Sequence, residues 1–213
     1  MKRPQVKICG VTRSGDARTC ADLGADMIGL NFWPGSSRFI APPEARRIVE
    51  ELPDRVRAVG VFVDATAEHI RQIARASGVR AIQVHGNVGV ETCRELASEF
   101  HVVRALRTDD RFAPQDAAAW PECDLLLDSD HPQLRGGTGL TCDWEAARAT
   151  LPFTRFLILS GGLDERNVGA AISAVSPHAV DVCSGVELRA GIKDRDAVAR
   201  FIAAVQATES VAS

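Results

Sequence analysis

The residues best suited to chemistry in this 213-residue chain stand where short apolar runs end. Cys9 closes the run QVKIC, directly before Gly10, and Asp128 closes the run DLLLD. A thiolate can remove a proton and a neutral carboxyl can deliver one, so the two residues could serve one substrate from opposite sides. The apolar run before Asp128 limits solvent access, which favours the neutral, proton-donating form of a carboxyl.

Both residues also have an ordinary structural interpretation. Cys9 fits a small buried hydrophobic residue, and its use as a base requires a lowered pKa, which nearby N–H groups or a cation such as Lys7 could supply. Asp128 fits a helix or loop cap equally well. The sequence pattern alone leaves both alternatives open.

Glycine-containing turns follow the last two apolar runs, at Gly161 and Gly162 and at Ser184 and Gly185. Their backbone N–H groups could approach a ligand closely, and phosphate is often held after strands seven and eight of an α/β barrel. The alternative is that these glycines only permit positive φ in a turn. The occurrence of two such turns at neighbouring positions favours phosphate binding.

An arginine, an aspartate, a histidine and the other polar residues at run ends are further candidates for the site. Arg38 could hold a carboxylate through two parallel hydrogen bonds, although most arginines are simply solvated. Asp181 interrupts an apolar run and either points into a site or forms a structural pair. His85 is more typical of a structural hydrogen-bonding group than of a base. The other polar residues at run ends are Asn31, Asp64 and Arg107.

Eight apolar runs alternate with helix-type segments along the chain, which predicts a parallel sheet covered by helices. The fold class is therefore α/β, a (β/α)8 TIM barrel in which residues 1–213 form a single domain, with the run ends gathered at one face of the sheet. Ser14, Asp164 and Asp194 are predicted to cap helices. The runs begin near the following residues: Gln5, Ala25, Val56, Arg80, His101, Asp124, Arg155 and Ala179.

Composition narrows the class of protein. A net charge of −3 with both signs interspersed predicts neither nucleic-acid binding nor a membrane partner. Six cysteines without a C-x-x-C pair, together with no apolar export signal, predict reduced thiols, a cytoplasmic location and no metal site. Oligomeric state stays open, with a monomer slightly favoured.

Longer motifs carry a family resemblance. KICGVT, GADMIGLNFWPGSSRFI, VGVFV, QVHG, LLLDS followed by GGTGLTCDW, LSGGL, and VDVCSGVE followed by GIKD occur in this order over residues 6–205. Together they resemble phosphoribosylanthranilate isomerase. The departures are Phe39 for a tyrosine, Cys142 for a phenylalanine and Cys183 for a serine. The change to Cys183 should have no effect on function if only its backbone N–H meets phosphate.

The resemblance implies an Amadori rearrangement of N-(5-phosphoribosyl)anthranilate to 1-(2-carboxyphenylamino)-1-deoxyribulose 5-phosphate, in tryptophan biosynthesis and without a cofactor. It implies that Cys9 is the general base, Asp128 the general acid, and Arg38 the partner of the anthranilate carboxylate. Asp181 would contact the substrate near the reacting centre, and the Gly161–Gly162 and Ser184–Gly185 turns would bind its phosphate.

Two rival functions follow from the same residues. The histidine-pathway isomerase performs the same rearrangement on a bisphosphate. That family resembles this one in fold, but it has aspartates at the ends of strands one and six. A phosphosugar-binding barrel without turnover is the other rival. Cys9 in place of an aspartate at the end of strand one, with no second phosphate-binding motif, argues against the first rival. The presence of both Cys9 and Asp128 argues against the second.

Overall fold

The computed structural model describes residues 3–108, 112–128 and 144–208. Eight parallel strands pair in chain order, and β1 pairs with β8, so the sheet closes into a barrel. The predicted barrel is confirmed, and strand ends differ from the predicted ones by at most two residues. The strands are β1 Gln5–Ile8, β2 Met27–Asn31, β3 Arg57–Val63, β4 Ala81–His85, β5 His101–Arg107, β6 Asp124–Asp128, β7 Leu157–Ser160 and β8 Ala179–Val182.

Helices cover the outside of the barrel between successive strands. Between β5 and β6, where the helical pattern is weakest, the described residues form a 3-10 helix, Pro114–Ala119. Two shorter 3-10 segments occur at Leu151–Phe153 and Ser184–Val186. The α-helices are α1 Ser14–Leu23, α2 Pro42–Glu51, α3 Ala67–Ser77, α4 Val90–Ala97, α5 Trp144–Thr150, α6 Val168–Val175 and α7 Arg195–Ala207.

Alternation along the strands divides the apolar residues into two layers. A small cluster that includes Met27, Val59, Leu126 and Ile158 fills the barrel interior. A larger cluster lies between the strands and the helices. The strands are therefore buried on both faces, which explains why they read as nearly continuous apolar runs.

Two of the three predicted helix caps are wrong. Asp194 does cap α7, since its side chain accepts hydrogen bonds from the N–H groups of Asp196 and Ala197. Ser14 is instead the first residue of α1. Asp164 accepts from the N–H of Asn167 in a turn, and α6 begins only at Val168. Each error is a displacement of the helix start along the chain.

An antiparallel hairpin that the sequence pattern did not predict follows β8. It consists of β9 Glu187–Arg189 and β10 Ile192–Lys193, and Gly191 at its turn has a φ of +79°. Strands of three and two residues are too short for an alternation pattern to reveal.

Some predictions fall outside the described residues, namely the glycine-rich stretch 135–141, Cys142 and the start of the fifth α-helix at Asp143. Among the helices described, none is long and apolar enough to cross a membrane.

Candidate active site

The carboxyl ends of the barrel strands bring the candidate residues to one mouth. In β6, Leu126 packs in the barrel interior, so Asp128, two residues later, points inward at the mouth. In β1, the buried Lys7 reaches Asp181 inside the barrel, so Cys9 also points inward. Two strands, β7 and β8, lie between β6 and β1 around the barrel in the shorter direction. The thiol and the carboxyl therefore open into the same mouth from different sides.

Cys9 lies against Lys7 and the backbone of Gly29. A Cβ atom placed on Gly29 would lie 2.8 Å from Cys9 Sγ and 3.2 Å from Lys7 Nζ. Only glycine therefore leaves room for both groups, which explains the glycine in the second apolar run. Lys7 was one of the groups that could lower the pKa of Cys9 according to the sequence, and its ammonium does lie beside the thiol.

A second thiol contacts Cys9 from the adjacent strand. The N–H of Cys9 donates to the carbonyl of Val182 at 2.8 Å, which aligns Cys9 with Cys183. The hydrogen bond between the two thiols lowers the pKa of Cys9 to about 7, although burial opposes this; Lys7 also favours the thiolate. The same hydrogen bond raises the pKa of Cys183. Cys183 therefore has a side-chain role beside its backbone N–H, because its side chain contacts the thiol of Cys9.

Asp181 points into the barrel and is also structurally paired, so the two readings that the sequence left open both hold. Its Oδ1 accepts from Lys7 Nζ at 2.8 Å and its Oδ2 accepts from Ser160 Oγ at 3.0 Å. Lys7 and Asp181 are both buried, and the proximity of the carboxylate raises the pKa of Lys7 even though burial opposes this. The ion pair holds the ammonium of Lys7 in place beneath Cys9.

Arg38 reaches the same mouth from the loop after β2. Its stem lies over Gly10, where a Cβ atom would lie 2.5 Å from Arg38 Cδ and 3.1 Å from Cys183 Sγ. Its guanidinium donates from Nε at 3.0 Å and from Nη2 at 2.7 Å to the carboxylate of Glu187. Arg38 is thus a held side chain rather than a solvated one.

The two glycine turns after β7 and β8 pack directly against each other. Gly161 and Gly162 have φ values of +93° and +61°, so the conformational reason for glycine holds there. A Cβ atom on Gly185 would clash with the carbonyl of Leu163 in the neighbouring turn. Asn167 ties the first turn down, since its Nδ2 donates to the Gly162 carbonyl at 2.9 Å. The two turns that carry the predicted phosphate residues therefore lie side by side.

His85 lies at the mouth as a neutral ring. Burial lowers its pKa to about 4, and its Nε2 lies 2.6 Å from Nε2 of Gln83. Gln83 was missed by the sequence analysis, although it interrupts the apolar fourth run as Asp181 interrupts the eighth. The structural interpretation of His85 fits this geometry.

Two other strand-end candidates have local structural roles. Asp64 Oδ1 accepts from the N–H of Asn87 at 2.7 Å, and Asn31 Oδ1 accepts from the N–H of Trp33 at 2.9 Å. Arg107 is exposed at the end of β5. Within the described part of the chain, no group of three or more His, Cys, Asp or Glu side chains could hold a metal ion.

Two cavities are lined by none of the proposed catalytic, substrate-binding or phosphate-binding residues. One of about 500 Å³ lies between the loops after β3 and β4, and one of about 380 Å³ lies at the amino-terminal mouth of the barrel. In the second, Asp124 is already held by His101 at 2.6 Å and by Arg155 at 3.0 Å. Active sites of barrels of this kind occupy the carboxyl-terminal mouth, so the second cavity does not compete with the site described above. The first cavity lies at the carboxyl-terminal end, but neither Cys9 nor Asp128 lines it.

The fold and this mouth define a (β/α)8-barrel enzyme. The family model described as N-(5′-phosphoribosyl)anthranilate isomerase matches residues 6–204. The Thermotoga maritima isomerase of that name is 42% identical over 198 residues, covering 93% of this chain and 96% of the relative. The chain belongs to the N-(5′-phosphoribosyl)anthranilate isomerase family.

Solved structures agree with this assignment. The crystal structure of the Thermotoga maritima isomerase has a TM-score of 0.89 and 41% identity, covering 96% of this chain and 99% of that one. A second solved structure, of a phosphoribosyl anthranilate isomerase in complex with reduced 1-(o-carboxyphenylamino)-1-deoxyribulose 5-phosphate, has a TM-score of 0.84 and 39% identity, with the same coverage. The predictions of the family and of an isomerase are confirmed.

Proposed function

We propose that this isomerase converts N-(5-phosphoribosyl)anthranilate to 1-(2-carboxyphenylamino)-1-deoxyribulose 5-phosphate by general acid and base catalysis, with Asp128 as the acid and Cys9 as the base. Asp128 donates a proton to the ring oxygen, which opens the furanose and leaves an iminium at C1. Cys9 then removes the proton from C2, which gives the enolamine, and tautomerisation yields the ketose. Membership in the family and the opposed inward positions of the two side chains support this proposal.

The observation that carries the mechanism is the environment of Cys9. A base must be deprotonated near neutral pH, and a pKa of about 7 leaves roughly half of the thiol ionised at that pH. Asp128 must at the same time be neutral. Two titratable groups in different environments can satisfy these opposite requirements in one mouth.

Arg38 and the glycine turns hold the two ends of the substrate in this proposal. The bond to Glu187 uses Nε and Nη2 of Arg38, and among the described residues Nη1 has no hydrogen-bond partner. Nη1 and the second N–H of Nη2 form the edge that a carboxylate accepts bidentately. The backbone of Gly161, Gly162, Ser184 and Gly185 takes the phosphate.

Asp181 acts below the reacting centre. Its two oxygens are already engaged by Lys7 and Ser160, so its contribution to substrate binding is made chiefly through the charge that it fixes on Lys7. A thiol base requires a reducing compartment, which fits a cytoplasmic enzyme with a soluble phosphosugar substrate. A monomer would suffice, because every proposed site residue comes from one barrel.

The test is turnover by purified protein, followed through the fluorescence of phosphoribosylanthranilate as it is consumed, beside the histidine-pathway substrate. We expect Cys9→Ser and Asp128→Asn each to lower kcat by about 10²–10⁴-fold, with much smaller changes in substrate binding. Cys20→Ser, at a thiol on the buried face of α1, is the matched control and should keep kcat. Near-full activity of Cys9→Ser would refute its role as the base.

A further inference from the structure

The hairpin of β9 and β10 carries two charged residues that the proposed mechanism does not use. Glu187 begins the hairpin and Lys193 ends it, and these are the charged residues of the SGVE and GIKD motifs. Both side chains are nearly fully buried, at 4% and 2% exposure. Charged groups are buried at this level only where partners compensate the cost, so the contacts of the pair indicate its purpose.

Glu187 binds three donors at once. Its carboxylate accepts from Arg38, from Lys193 Nζ at 2.9 Å and from the N–H of Gly191 at 3.1 Å. Burial alone would raise the pKa of Glu187, but the hydrogen bonds from Arg38 and Lys193 outweigh burial and lower it. With two cations and one anion, this cluster keeps a net positive charge that can attract a further carboxylate.

The hairpin is also attached to the loop that follows Cys9 and to the first turn of α1. Thr12 Oγ1 donates to the Gly191 carbonyl at 2.6 Å, and the N–H of Lys193 donates to Asp16 Oδ2 at 3.0 Å. It therefore joins the loop after β1 to Arg38 in the loop after β2. The distance between the Cys9 thiol and the Arg38 guanidinium depends on this connection.

We propose that Glu187 is a positioning residue that aims Arg38 at a carboxylate on the aromatic ring of the substrate, and that it thereby sets the preference for an anthranilate over an aniline group. Glu187 engages the Nε edge of the guanidinium and leaves the Nη1–Nη2 edge facing away from it. Without Glu187 the side chain of Arg38 would be free to rotate, and the repulsion between Arg38 and Lys193 would favour its departure. This inference rests on the proposed function of the site.

The experiment measures binding rather than turnover. The probes are reduced 1-(o-carboxyphenylamino)-1-deoxyribulose 5-phosphate and the same molecule without its ring carboxylate, and calorimetry gives both Kd values. We expect Glu187→Gln to raise the Kd of the first probe about tenfold or more, the usual scale for charge-assisted hydrogen bonds. The Kd of the second probe should stay nearly unchanged. Equal weakening of both probes, or of neither, would overturn the positioning role.

A double-mutant cycle separates positioning from a direct role. If Glu187 acts only through Arg38, then Glu187→Gln should have little further effect on the first probe in an Arg38→Ala background. Additive losses would contradict the inference. Glu51→Gln is the matched control, because it also removes a carboxylate paired with an arginine, at an exposed site on α2. Its Kd values should equal those of the unmodified protein.

Thr12→Val provides a second variant should Glu187→Gln fold poorly. It removes the donor to Gly191 without changing a charge, and we expect a smaller loss that is again confined to the carboxylate-bearing probe. If the unmodified protein binds neither probe, the proposed function itself is wrong. If the unmodified protein binds both probes, and the carboxylate-bearing one more tightly, then the results for the variants test the positioning role of Glu187 separately from the proposed function.

Discussion

Removal of the Cys183 thiol should shift the pH dependence of the enzyme. Cys183 provides the largest contribution that lowers the pKa of Cys9, and Lys7 and Lys193 add to it, whereas burial and Asp181 oppose it. Arg38 also faces the two thiols. Cys183→Ala removes only the S–H donor and leaves these charges in place. The pKa of Cys9 should therefore rise, and the acidic limb of kcat/KM should move to higher pH.

The size of the shift follows from the hydrogen bond. A bond to a charged group contributes about 1.5–3 kcal/mol, and one pKa unit corresponds to about 1.4 kcal/mol, so the pKa of Cys9 should rise by about one to two units. The thiolate fraction at pH 7 would fall from roughly one half to between about one tenth and one hundredth. We expect kcat/KM at pH 7 to fall about 5- to 50-fold and to recover at alkaline pH.

Two assays and two comparisons make this test specific. The pH profile of kcat/KM reports the free enzyme, and the pH dependence of Cys9 alkylation by iodoacetamide, mapped by mass spectrometry, reports its thiolate without turnover. Cys183→Ser keeps a donor and should retain the acidic limb. Cys123→Ala removes one member of a second hydrogen-bonded thiol pair, with Cys93, between the barrel and its helices and should leave the profile unchanged. An unshifted limb in Cys183→Ala would refute the reasoning.

Three further predictions follow from the geometry of the mouth. Arg38→Ala should mainly raise KM, because it removes the proposed carboxylate partner; steady-state kinetics with an unchanged KM would contradict this. Lys7→Met leaves Asp181 buried without its cation and should destabilise the protein by about 3–5 kcal/mol in urea denaturation, partly restored by Lys7→Met combined with Asp181→Asn. Burial lowers the pKa of His85 to about 4 in the folded protein. Between about pH 4 and 6.5 the unfolded chain therefore binds more protons than the folded protein, and His85 lowers the free energy of unfolding as pH falls through that window. Between pH 7 and pH 4.5 the stability of the unmodified protein should therefore fall by about 2–3 kcal/mol more than that of His85→Gln, and parallel denaturation curves would argue against it.

The barrel and the positions of its strand ends could be predicted from the sequence because both depend on short-range patterns. An apolar run of five residues ending in Cys9 or Asp128 is visible locally, and alternation along a strand then decides which side chains face inward. Reliance on short-range patterns also explains an error, because the helix that begins at Val168 was predicted to begin directly after Asp164. Asp164 has the right residue type for a cap, but it is used in the preceding turn.

The contacts that govern Cys9 and Arg38 could not be predicted in this way. Cys183 and Asp181 meet the first strand only because the barrel closes and β8 pairs with β1. Lys7 is 174 residues from Asp181, and Arg38 is 149 residues from Glu187. Periodicity reports neighbours within a few turns or one strand, so it carries no information on which distant side chains share a hydrogen bond. The sequence by itself determined the fold, the family and the residues at the strand ends, whereas only barrel closure decided the charge around the Cys9 thiol and the direction of the Arg38 guanidinium.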